Sequence, residues 1–224
     1  MKTILITGTS KGLGLELARA MLARQYRVLG LSRSGCDIEH RNYHHLAADI
    51  TDAEYPSALR EFIERIGIRH LDIVVNNAGN RSHGSDIESV QVEEVIRQFE
   101  LHCAGALRTI QTLLPMLERS KIVNVTSRLG SVKFNRRGDF GGRGFSYGYR
   151  IAKAAQNMLS LCLAADDKLR GNAVISIIPG LLRTESGADD ASHSAAEGAQ
   201  AVADKILSVE SSGVYHAFED EAAY

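Results

Sequence analysis

Tryptophan is absent from the 224 residues, and proline and cysteine occur three times each. Cys36, Cys103 and Cys162 cannot supply a disulfide framework, and their spacing fits no zinc site. A reducing compartment, the cytoplasm, is therefore expected. The start Met1–Gly8 breaks its apolar run too early for a signal peptide, and no stretch approaches the roughly 18 apolar residues of a membrane helix. Neither sign of charge predominates: 26 Lys+Arg stand against 27 Asp+Glu, a net charge of -1. That balance gives no general surface for nucleic acid or membrane. No Pro- or Ser-rich linker divides the chain and no segment repeats, so one domain over residues 1–224 is expected.

What is present is an alternation of short apolar runs with longer amphipathic ones. Thr3–Thr7, Arg27–Leu31, His44–Ala48, Asp72–Val75, Lys121–Thr126, Val174–Ile178 and Gly213–His216 read as strands. Leu13–Leu22, Ala53–Gly67, Val90–Leu117, Tyr149–Leu169 and Ala195–Leu207 read as helices, the third stopped or kinked near Pro115. This alternation predicts an α/β fold in three layers, a doubly wound parallel sheet of Rossmann type.

Between the first strand and first helix lies Thr7-Gly8-Thr9-Ser10-Lys11-Gly12-Leu13-Gly14. Glycines there permit a tight turn and close approach of backbone to a pyrophosphate, and the helix N-terminus presents free N–H groups. A strand that serves NAD commonly ends in an acid for the ribose 2′-hydroxyl, whereas an Arg accommodates a 2′-phosphate. Here the second strand runs into Ser32 and Arg33, with Lys11 in the glycine loop, which favours NADP(H). Asn76-Asn77-Ala78-Gly79 follows the fourth strand, Ser127 follows the fifth, and Tyr149 and Lys153 stand four apart on one helical face. A phenol titrates near 10, and a neighbouring ammonium favours its phenolate, bringing it toward acid–base work at neutral pH.

In this order, the segments Thr7–Gly14, Asp49, Asn76–Gly79, Ser127, Tyr149–Lys153 and Pro179-Gly180 make the chain resemble the short-chain dehydrogenase/reductase family, in particular its small bacterial-type carbonyl reductases. The resemblance implies NADPH-dependent reduction of a small-molecule carbonyl, or the reverse oxidation of an alcohol. Tyr149 exchanges the proton on the substrate oxygen, Ser127 polarises the carbonyl, and Lys153 lowers the Tyr149 pKa and binds the nicotinamide ribose. Gly8, Ser10, Lys11, Gly12, Leu13 and Gly14 are implied in binding the cofactor, with Arg33, Asn77, Ala78 and Gly79. Asp49 and Ile50 flank the adenine, and Pro179, Gly180, Leu182 and Thr184 hold the nicotinamide end. A homodimer or homotetramer through the two long helices is implied as well.

Two departures stand out. The family places an Asn three residues before a Gly on the long helix; His102 precedes Gly105 at that spacing and is the fourth catalytic candidate. The stretch between Ser127 and Tyr149 is long, basic and glycine-rich: Lys133–Arg150 carries a local charge of +4. Arg136, Arg137 and Arg143 in it are candidates for an anionic or polar substrate, beside the plainer reading of a solvated loop. Residues 184–224 are acidic, with Lys205 the lone cation. The departures leave two other readings open: dehydration, isomerisation or cyclisation by the same Tyr149 and Lys153, and cofactor sensing without turnover. His44, His45 and Asp49 make no convincing metal site. Cys162, Met116, Met158 and Leu159 are expected in the packing, with Glu16 and Arg19 on the surface.

Overall fold

In a computed structural model of the chain, residues 1–81, 86–136, 146–184 and 191–218 are described. Strand β1 (Thr3–Thr7) leads through the glycine loop into α1 (Gly12–Ala23), followed by β2 (Arg27–Ser32), β3 (Tyr43–Ala47), α2 (Tyr55–Arg65) and β4 (Ile73–Asn76). Then come α3 (Val92–Phe99), a π-helical turn (Glu100–Ala104), α4 (Gly105–Leu113) and β5 (Lys121–Val125). A short α5 (Val132–Arg136) precedes the long α6 (Tyr147–Ala165), β6 (Ala173–Ile178), β7 (Leu182–Arg183), β8 (His193–Ser194), α7 (Ala195–Ser208) and β9 (Gly213–His216).

Seven strands form one parallel sheet in the order β3-β2-β1-β4-β5-β6-β9. Each central strand is apolar on both faces, as a sheet covered on both sides requires. In β1, Ile4 and Ile6 face the layer of α1 and α7, where Leu17, Met21, Val202 and Ile206 are buried. Leu5 faces the opposite layer, with Leu59 and Ile63 of α2 and Ile110 and Leu113 of α4. Val74, Ile122 and Val174 join Leu5, while their sequence neighbours Val75, Val123 and Ile175 join Ile4, so the period of two places one layer on each face. The strand order reverses between β1 and β4, and ligand crevices of such sheets lie at that switch, at the strands' carboxyl ends.

Several expectations shift in detail. The stretch expected as one helix over Val90–Leu117 begins at Val92, opens into the π turn at Glu100–Ala104, and ends in a 3-10 turn holding Pro115. Helix α6 starts two residues before Tyr149, capped by Ser146, whose Oγ accepts from the Tyr149 N–H at 3.4 Å. Met116 and Leu159 pack against the α2/α4 layer. Met158 and Cys162 do not: both are exposed, because they lie on the outward stripe of α6 with Ile151 and Leu161. Glu16 and Arg19 pair at 2.7 Å on the outside of α1.

Candidate active site

One cleft of about 1080 Å³ runs along the carboxyl ends of the strands. The structure brings to it Gly8, Ser10, Lys11, Gly12, Leu13, Gly14, Arg33, Asp49, Ile50, Asn77, Ala78, Gly79, Pro179, Gly180, Leu182 and Thr184, together with His102, Ser127, Tyr149 and Lys153. Arg136 ends α5 as an exposed residue and is not among the residues lining the cleft. Arg137 and Arg143 lie outside the described residues.

The glycine loop is stitched to the segment after β4. Thr7 Oγ1 accepts from Asn77 N at 3.0 Å and Ala78 N at 2.9 Å, and Asn77 Nδ2 donates to Thr7 O at 2.9 Å. Gly8 has φ +78°, and a side chain there would run into Ala78 Cα at 2.7 Å. Only glycine fits both the backbone conformation and the close approach. At the end of β2, Ser32 Oγ donates to Ser34 O at 2.7 Å and accepts from His45 Nε2 at 2.8 Å. Arg33 is exposed and reaches Asp49 at 3.7 Å, while Asp49 Oδ1 accepts from Thr51 N and Oγ1. The residues at this end of the cleft are thus two cations, a hydroxyl, and a carboxylate already engaged.

At the other end, Ser127 closes β5 and Tyr149 and Lys153 face the cleft from the first two turns of α6. Burial raises the Tyr149 phenol above its ordinary value, against a hydrogen bond with Ser127 and the positive field of Arg81, which both lower it. Lys153 Nζ donates to Val125 O and Gln156 Oε1 at 2.8 Å each and lies 5.8 Å from the Tyr149 ring centroid. Burial lowers Lys153 to about 7, since low dielectric penalises the ammonium.

Lys153 is the end of a buried polar chain. Gln156 O accepts from Ser160 Oγ at 3.1 Å, and Ser160 Oγ accepts from Asn124 Nδ2 at 2.8 Å and Ser176 Oγ at 2.9 Å. Asn124 Oδ1 accepts in turn from Asn76 Nδ2 at 2.9 Å. Tyr149, Lys153, Gln156 and Ser160 form a stripe along the inner face of α6, and the periodicity of polar residues there was the available signal for the last two.

The π turn delivers His102. Its ring packs on Gly79, where a Cβ would meet it at 2.3 Å, and meets Tyr149 edge to face. A carbonyl can only accept, so the 2.9 Å contact with Asn80 O makes Nε2 the protonated nitrogen. Nδ1 is then a buried lone pair with no hydrogen-bond partner among the described residues. Burial and the nearby Lys153 hold His102 well below the ordinary histidine value, against the bond to Asn80, so the ring is neutral. Asn80 Oδ1 also accepts from Gln98 Nε2 at 3.0 Å.

A doubly wound parallel sheet with a glycine loop, a strand-end Ser and a helical Tyr/Lys pair on one switch-point cleft defines a dinucleotide-dependent oxidoreductase. Residues 2–195 match the family model described as short chain dehydrogenase. The 1-hydroxy-2-glutathionyl-2-methyl-3-butene dehydrogenase of Rhodococcus sp. (strain AD45) is 31% identical over 194 residues, 83% of this chain and 80% of that protein. The NADPH-dependent pterin aldehyde reductase of Arabidopsis thaliana is 30% identical over 196 residues, covering 82% and 76%. A short-chain dehydrogenase/reductase from Burkholderia multivorans, solved with bound NADP, superposes with a TM-score of 0.79 at 28% identity, covering 96% and 95%. The chain belongs to the short-chain dehydrogenase/reductase family.

Proposed function

We propose that this protein reduces a small-molecule carbonyl with NADPH, Tyr149 giving the proton to the carbonyl oxygen and taking it back in the reverse oxidation. The observation that carries this reading is that Tyr149, Ser127 and Lys153 line one cleft with the glycine loop, burial raising the Tyr149 phenol above its ordinary value. A phenol above its ordinary pKa is an acid that keeps its proton until charge develops on the substrate oxygen. Ser127 Oγ accepts from Leu129 N–H at 3.2 Å, which leaves its own proton to donate to that oxygen. Lys153 and Gln156 carry the polar chain from beneath Tyr149 into the protein, and the unpartnered His102 Nδ1 is an acceptor for a water beside them.

NADPH, when bound, supplies the hydride. Gly8–Gly14 would hold its pyrophosphate, and Asp49 and Ile50 its adenine. Ser32, Arg33 and Lys11, with no acid at the end of β2, suit a 2′-phosphate. The Arabidopsis relative, named as NADPH-dependent, and the Burkholderia structure with NADP support the same choice. The exposed apolar residues of α3 and α6, among them Val92, Ile96, Met158 and Leu161, suit a homodimer or homotetramer.

The test is NADPH absorbance with a panel of ketones, quinones and oxo acids. Substrate-dependent oxidation of NADPH that disappears in Tyr149→Phe is expected. Conversion of a substrate with no net change in NADPH would replace reduction by dehydration, isomerisation or cyclisation at the same residues.

A further inference from the structure

Gln156 stands one turn beyond Lys153 on the inner face of α6, 2% exposed, and its Oε1 accepts from Lys153 Nζ at 2.8 Å. Val125 O, at the end of β5, accepts from the same nitrogen at 2.8 Å. Lys153 is itself 5% exposed and lines the cleft. An ammonium carries three donors, so these two acceptors leave it a single N–H; a free amine carries two, and is left with its lone pair. The flexible lysine stem fixes no direction by itself. The two acceptors therefore set the direction of the remaining position, and both are anchored. Val125 pairs with Ile177 between β5 and β6. Gln156 O accepts from Ser160 Oγ, which Asn124 Nδ2 and Ser176 Oγ tie to the same two strands. The 3-10 turn Arg128–Gly130 closes on the Lys153 backbone, where a Cβ on Gly130 would come within 2.6 Å of Lys153 C.

We propose that Gln156 is a positioning residue of the reaction: with Val125 O it holds Lys153 Nζ so that the one position left on the nitrogen serves the cleft, where the cofactor ribose and Tyr149 are met. The proposal rests on the reductase reading above. A neutral amide suits this place. An apolar side chain there would leave an N–H of Lys153 unpaired away from water, and a carboxylate would fix the ammonium form. Among the described residues, the titratable groups that face Lys153 are Tyr149 on the same helix, its ring centroid 5.8 Å away, and His102 from the π turn. Burial keeps both of them neutral at pH 7. From β5 comes the carbonyl of Val125, and from the turn after it the backbone at Gly130. The acceptor on Gln156 is thus the part of this surrounding that a single side-chain change can remove or charge.

The experiment compares the native protein with Gln156→Met, which keeps length and volume but not the acceptor, and Gln156→Glu, which keeps the acceptor and adds charge. The protein carries lysine labelled with 13C at Cε, and the Lys153 signal is assigned by its absence from Lys153→Met. The native midpoint is expected near 7. It should fall by about one pH unit in Gln156→Met and rise by about one or more in Gln156→Glu. Fluorescence titration at pH 7 should show NADPH binding about fivefold or more weaker in Gln156→Met and largely restored in Gln156→Glu. With a carbonyl substrate, kcat should fall about tenfold in Gln156→Met while the KM of that substrate stays within about twofold. Midpoints that stay put, or that move the same way in both variants, overturn the proposal, as does a Gln156→Met protein with native NADPH affinity. Should Gln156→Met not fold, Gln156→Glu decides alone: a midpoint that fails to rise overturns the proposal. If no carbonyl compound oxidises NADPH, the reductase reading fails by itself, and the Lys153 midpoints and NADPH titrations still decide the role of Gln156.

Discussion

The His102 ring meets the Tyr149 ring edge to face, with centroids 5.3 Å apart and planes at 86°. Nothing charged fits comfortably there: burial and Lys153 both oppose an imidazolium, and Nε2–H is committed to Asn80 O. His102 therefore stays neutral where an exposed histidine titrates. In NMR spectra the His102 Cε1–H shift should be constant between pH 8 and pH 5.5, the range in which a free imidazole titrates. A His102 titration in that range would contradict the assignment. His102→Asn should keep kcat within about threefold, since the polar chain below Lys153 is untouched, and raise KM as the Asn80 anchor is lost; loss of kcat by a hundredfold or more would make the imidazole itself part of the proton path.

The raised Tyr149 phenol sets the direction of the pH dependence. Reduction needs the protonated phenol, so kcat/KM for a ketone should hold steady through neutral pH and fall only on the alkaline side. Oxidation of the corresponding alcohol should rise there instead. Arg81→Gln removes a positive field that lowers the phenol, and should move both limbs to higher pH. Tyr149→Phe should cost about 10²–10⁴-fold in kcat with cofactor affinity kept.

The seven strands of the main sheet and the gathering of the glycine loop, Ser127, Tyr149 and Lys153 on one cleft were legible because periodicity two, periodicity 3.6 and glycine turns are local signals. The tuning of the site was not. Lys153 is four residues from Tyr149 in any helix, but its burial and its bonds to Val125 O and Gln156 Oε1 depend on how α6 meets the sheet. Arg81 reads as a loop cation until the π turn, which no periodicity announces, swings His102 onto Asn80. Cys162 and Met158 look like core residues by type and lie outside because α6 turns that stripe away from both layers.

The buried Lys153 carries a signature in stability. The unfolded chain holds its proton to about pH 10, and the folded chain gives it up near 7. Between those values the unfolded state binds more protons, so stability rises with pH by at most about 1.4 kcal/mol per unit from this group. Urea unfolding of the apo protein and of Lys153→Met at pH 7.5 and pH 9 should show the native protein gaining roughly 1–2 kcal/mol relative to the variant. A difference that stays flat across this interval would mean that Lys153 remains charged when folded.

Ser32 stands where an acid would claim a ribose 2′-hydroxyl, and its Oγ is held between Ser34 O and His45 Nε2. Ser32→Asp places a carboxylate beside Arg33 and against a 2′-phosphate. Fluorescence titration should show NADPH affinity falling at least tenfold and NADH affinity rising. Native protein that prefers NADH, or a Ser32→Asp variant with unchanged preference, would remove the case for NADP(H).

The outer faces of α3 and α6 expose Ile96 at 55%, Met158 at 59% and Leu161 at 60%, on two helices that pack against one another. Val92, Phe99 and Ile151 are exposed on the same two helices, and covering these residues with the same faces of a second copy would bury them by two-fold symmetry. Light scattering should report a mass at least twice the 24.4 kDa of the chain. Leu161→Glu puts two like charges near the axis of such an interface and should shift the protein toward a single-chain mass at micromolar concentration. Glu at the exposed Arg170, outside this strip, should leave the mass unchanged. A native protein of single-chain mass, or a Leu161→Glu protein that assembles as before, would place any assembly on a different surface.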